Sequence, residues 1–174
     1  VDTVNGFTTG TVTPTSISED KADITTLQGT AGISLATTNI TVTDQVDKSE
    51  ADTINNYTTG QVVLNSASMT VTELAAVEAL DDSEMKFADD GAISVSDAAS
   101  LTNANTINNY TTGQVTLTSV SDTVANITSI DGLTTTQVSM AGATVSITDT
   151  GASKTQVDTV NGFTTGTVTP TSIS

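Results

Sequence analysis

The sequence predicts an α/β repeat solenoid, β-helix-like and right-handed, with parallel strands and short helices at its corners. Three observations predict it. Residues 1–18 and residues 157–174 are the same eighteen letters, VDTVNGFTTGTVTPTSIS, at an offset of 156 residues. Within that offset a phrase reading DTVNGF, DTINNY or NTINNY, followed by TTG, opens at Asp2, Asp52, Asn105 and Asp158, with spacings of 50, 53 and 53 residues. Between these phrases the apolar residues switch from a spacing of two to a spacing of about three, the periods of strand and helix. Self-similarity at such a period marks stacked units that bury their apolar stripes only against one another.

The phrases divide the chain into units 1–51, 52–104 and 105–157, with 158–174 opening the next cassette. Each unit is expected to run strand, helix, strand, strand, helix. The first strand follows TTG and holds Val12, then Val62 and Leu64, then Val115 and Leu117, then Val168. A first helix carries Ile24 and Leu27, then Val71, Leu74 and Val77, then Val124, Ile127 and Ile130. Ser18 and Ser121, each followed by acidic residues, supply its start signals, since a hydroxyl and nearby acids suit the free amides of a helix start. The second strand holds Ile33 and Leu35, Met85 and Phe87, Val138 and Met140; the third holds Ile40 and Val42, Ile93 and Val95, Val145 and Ile147. A second helix carries Ala51 and Ile54, Ala104 and Ile107, Val157 and Val160, with Ser49 as a start signal. Phe7, Tyr57, Tyr110 and Phe163 end that helix and are expected to stack in the core. A unit of 53 residues fits one wide turn or two coils. At roughly 5 Å per coil the cassette then extends about 15 Å or about 30 Å.

Composition narrows the function. Four Lys and Arg against 20 Asp and Glu leave a net charge of −16, which repels phosphate backbones and anionic lipid heads. Nucleic-acid partners and membrane insertion of this segment are therefore not expected. The chain has no His and no Cys, so a Ser-His-Asp triad, a thiol nucleophile and a disulfide framework are all impossible. Thr (39) and Ser (18) make up a third of the 174 residues, which suits exposed positions on strands.

Carboxylates are the candidate ligands. Asp44, Asp97 and Asp149 follow the third strand of each unit, and oxygen donors at a recurring corner could hold calcium. The competing reading is that they cap the turn into the second helix. Asp81, Asp82, Glu84, Asp89 and Asp90 crowd one loop of the middle unit and read as a solvated face. Since the acids recur with the repeat, whereas a catalytic pair breaks it, the sequence predicts no enzyme and requires no cofactor. Thr-x-Thr triplets at 11–13, 41–43, 116–118 and 167–169 raise an ice-binding face, which Gln61, Val63 and Asn65 interrupt. The sequons at Asn39, Asn56, Asn109 and Asn126 are as many as this Thr content produces by chance.

The TTG-x-V strand, the S-x-x-x-A-x-I-x-x-L helix and the S/T-V-S/T-I-T-D strand resemble the giant Thr-rich tandem-repeat cell-surface proteins of cyanobacteria, among them the type associated with swimming motility. The resemblance spans the whole chain and implies an extracellular, cell-surface structural segment of a stalk, filament or layer. Its expected partners are neighbouring copies of the repeat end to end, other filaments or surface glycans. The alternative is a calcium-dependent adhesin or ligand-binding array. Uncovered strands at the ends of a stack are templates for end-to-end association, opposed by acidic repulsion.

Overall fold

The computed structural model describes residues 1–133 and 137–174, and of Asp2 its backbone only. The chain is α/β, with helices interleaved between strands, and every described strand pairing is parallel. It divides into two compact units. One comprises Val1–Ala67 and Ala76–Ala88, the other Ser68–Ala75 and Asp89–Ser174.

The first unit holds α1 (Asp2–Asn5), β1 (Ser16–Glu19), α2 (Lys21–Gly29), β2 (Asn39–Val46), α3 (Lys48–Asn55) and most of β3 (Val62–Met69). Its strands pair in chain order: Ile17 faces Ile40, Ile40 faces Val62, and Val42 faces Leu64. These inward positions are buried, so apolar residues stack on apolar residues from strand to strand. The helix α4 (Val71–Glu78) and β4 (Met85–Ala99) contribute residues to both units.

The second unit continues with α5 (Leu101–Asn108), β5 (Val115–Asp122), α6 (Val124–Gly132), β6 (Val138–Ser139), β7 (Thr144–Ile147), α7 (Lys154–Asn161) and β8 (Val168–Pro170). Ile93 faces Val115, Val95 faces Leu117, and Val145 faces Val168. The helices turn Ile54, Leu74, Ile107, Ile127, Ile130 and Val160 inward at the expected spacing, all at most 1% exposed. Their outward Thr side chains satisfy themselves locally: Thr25, Thr53, Thr106, Thr128 and Thr159 each donate to the carbonyl four residues back.

The structure corrects three expectations. The second and third strand patterns of a unit belong to a single coil. β4 runs through both without a break, and β6 and β7 pair side by side along the same neighbour, β5. A spacing of two residues marks a strand but carries no information on its partner. Paired residues such as Ile40 and Val62, or Ile93 and Val115, lie 22 apart, the length of one strand, one helix and their connections. Helix starts also shift by two residues: Asp20 and Thr123 are N-caps in place of Ser18 and Ser121, later than the sequence suggests, and Asp47 in place of Ser49, earlier, while Ser100 and Ser153 cap the other two. Finally, the four aromatics expected at the helix ends are not core. Tyr57, Tyr110 and Phe163 are half-buried and Phe7 is 83% exposed, because the helix has ended before each ring and its phase no longer turns the side chain inward.

Candidate functional site

Two recurring arrangements concentrate the polar chemistry of the chain. The first is built on TTG. After the aromatic residue the chain must turn sharply into the next strand while lying against the previous coil. Thr58, Thr111 and Thr164 each solve this with one hydroxyl. The oxygen accepts from the amide of the glycine two residues on, at 2.8, 2.8 and 2.9 Å. The same hydroxyl donates across to the previous coil, to Thr38 O, Gly91 O and Ala143 O, each at 2.6 Å. Thr111 and Thr164 are buried, and a buried hydroxyl requires such partners. The next residue adds a second contact: Thr59, Thr112 and Thr165 donate to Ala36 O, Asp89 O and Ala141 O.

The glycine follows from the closeness of that approach. A Cβ at Gly60, Gly113 or Gly166 would sit 2.5, 2.3 or 2.1 Å from a backbone carbonyl oxygen of the previous coil. Backbone cannot yield as a flexible side chain does, so only glycine fits. Identical sequence supplies the control. At Gly10, in the same phrase, a Cβ meets nothing closer than Thr8 Oγ1 at 3.5 Å.

The second arrangement involves Asp44, Asp97 and Asp149. Each carboxylate accepts from the first amide of a helix in the preceding coil: Lys21 N at 2.9 Å, Val71 N at 2.8 Å and Val124 N at 2.6 Å. They serve α2, α4 and α6, the first helix of each unit, and not the second helix as expected. Asp44 and Asp97 reach back from β-bulges, where two residues of β2 or β4 oppose one of the next strand. The second helices keep their own capping boxes, Asp47 with Glu50, Ser100 with Asn103, and Ser153 with Gln156. The three aspartates stay in separate coils, and among the described residues no three acidic side chains gather as a metal cluster. Asp52 and Asp158 pair with Lys48 and Lys154 one helical turn away, while the side chain of Asp2 lies outside the described residues.

Asp122 is a further cap that the sequence hides, because Met69 and Glu19 occupy its place in the other units. It accepts from Leu101 N at 2.9 Å, capping α5 of the previous coil, and from Thr123 N and Asn126 Nδ2. Burial pushes its carboxyl up, but these three hydrogen bonds together hold it below the usual aspartate range. Of the acidic residues expected in one loop, Asp81, Asp82 and Glu84 are exposed in the loop before β4, whereas Asp89 and Asp90, also exposed, lie within β4. Asp81 closes a tight turn by accepting from Ser83 N and Ser83 Oγ, and Glu84 accepts from Asn55 Nδ2. Lys21 and Glu50 meet at 2.7 Å over an open groove of about 510 Å³ between α2 and α3, walled by Ala22, Thr25, Thr53 and Ile54.

These groups bind backbone to backbone. Their oxygens are spent on amides and carbonyls of adjacent coils, an arrangement that fixes the coils in register. Comparison with protein-family models, curated proteins and solved structures gave no match for the chain.

Proposed function

We propose that the chain is a non-catalytic segment of a tandem-repeat solenoid that serves as a mechanical element, a stalk, filament or layer, on the outer surface of a cell. One observation carries the reading: the same TTG hydroxyl-and-glycine contact joins a coil to its predecessor at three places, 53 residues apart each time. A contact that recurs with the repeat supports a role in stacking one coil on the next. The eighteen repeated residues extend the same logic from one cassette to the next.

The surface chemistry supports an extracellular position. The net charge of −16 keeps a long polymer soluble and repels neighbouring copies side by side. Hydroxyls satisfied within their own helices leave the outer face polar without adding charge. The resemblance to Thr-rich cell-surface repeats of cyanobacteria agrees with this. The test is labelling of intact, unpermeabilised cells of the source organism with antibodies raised against the chain. Surface labelling that proteases remove is the expected result; labelling only after permeabilisation contradicts the reading.

A further inference from the structure

We propose that the open pocket beside Tyr110 is a binding site for a neutral sugar residue, one unit of a polysaccharide chain. The pocket measures about 370 Å³ and is lined by Asp89, Asn108, Asn109, Tyr110, Thr111 and Thr112. All of these residues lie in the second compact unit. Asp89 comes from β4, and the others run from the end of α5 into the turn before β5.

The repeat separates what stacking needs from what this pocket adds. Thr59, Thr112 and Thr165 donate to the backbone carbonyls of Ala36, Asp89 and Ala141. Alanine serves that contact in the coils before and after, so the carboxylate of Asp89 is not what stacking requires. The aromatic residue beside the contact is Tyr57, Tyr110 and Phe163 in turn. Among these three contacts the middle one alone joins a carboxylate to a phenol.

A sugar ring presents hydroxyls at its edge and C–H groups on its faces. Carboxylates and amides hydrogen-bond the first, and an aromatic ring packs against the second. Asp89 and Asn109 are exposed here, and Tyr110 is half-buried. Thr112 Oγ1 donates to Asp89 O at 2.7 Å and keeps its lone pairs for a ligand donor. Asn108 Oδ1 is buried with no donor among the described residues, and a ligand hydroxyl at that wall supplies one. Charge decides the class of sugar. None of the described lining residues is cationic, Asp90 follows Asp89, and the chain carries −16, so uronic and sulfated sugars are repelled.

The experiment is isothermal titration calorimetry of the chain with cellohexaose, mannohexaose and, as an acidic control, hexagalacturonic acid. Asp89→Ala and Tyr110→Phe copy Ala141 and Phe163 of the next contact, which the fold accommodates, and circular dichroism checks each variant. Wild type is expected to bind a neutral hexasaccharide. Asp89→Ala is expected to weaken that binding at least about tenfold, the weight of a hydrogen bond to a charged group. Tyr110→Phe is expected to weaken it about threefold, the weight of a neutral one. No binding of either neutral probe, unchanged affinity in either variant, or equally tight binding of the acidic control each overturn the proposal. The site goes beyond the mechanical reading and does not rest on it: a failed titration leaves surface labelling of cells unaffected.

Discussion

At the scale of single residues, the chain is held by hydroxyls and by glycines that allow backbones to touch. Thr111 is the clearest case: buried, donating to Gly91 O and accepting from Gly113 N. Thr111→Val keeps the shape but strands both partners, and is expected to cost about 1–3 kcal/mol in urea unfolding. Thr116→Ala, on the exposed side of β5, is expected to stay within about 0.5 kcal/mol. If the two substitutions cost the same, the inward and outward assignment of this coil is wrong. Leu117→Ala, buried beside it, removes core and should cost about 2–5 kcal/mol. Tyr110 is half-buried, so its truncation belongs below that range. The sequence offered TTG as a repeat marker without showing its work. A lone Thr-Thr-Gly says nothing about a carbonyl some twenty residues back, and only the fold brings Gly91 O to Thr111.

At the scale of elements, short helices depend on caps, and several of those caps come from the following coil. Asp122 holds α5 in this way. Its folded-state pKa is depressed, so its contribution is fully present above the ordinary aspartate value of about 3.9 and is lost as pH falls through the lower folded value. Asp122→Asn is expected to cost about 1 kcal/mol near neutral pH and to flatten the acid limb of the stability profile. An unchanged acid limb would show that Asp122 does not cap α5. Asp44, Asp97 and Asp149 spend an oxygen on a helix amide. Thermal midpoint and circular dichroism are expected to be the same with and without EDTA, and a lowered midpoint would favour the calcium reading. Helices and strands were largely legible, since Ile24 and Leu27 or Ile93 and Val95 declare their periods. Caps acting between coils were not: local spacing assigned Asp44 to the helix after it, while the bulge in β2 turns it to the one before.

At the scale of the molecule, the claim to be tested is that coils continue in register from one cassette to the next. Residues 1–174 followed by a second copy of residues 19–174 make a 330-residue chain with one uninterrupted repeat. Stacked coils couple to their neighbours, so added coils raise stability and enlarge the cooperative unit. The surface exposed on unfolding sets the slope of stability against urea. The direct measurement is urea unfolding of the 330-residue chain beside the 174-residue chain. One transition with a higher midpoint and a slope about twice as steep is the result a continuous array predicts. An unchanged midpoint and slope, with only the amplitude doubled, would mean independent domains on a string and would contradict it.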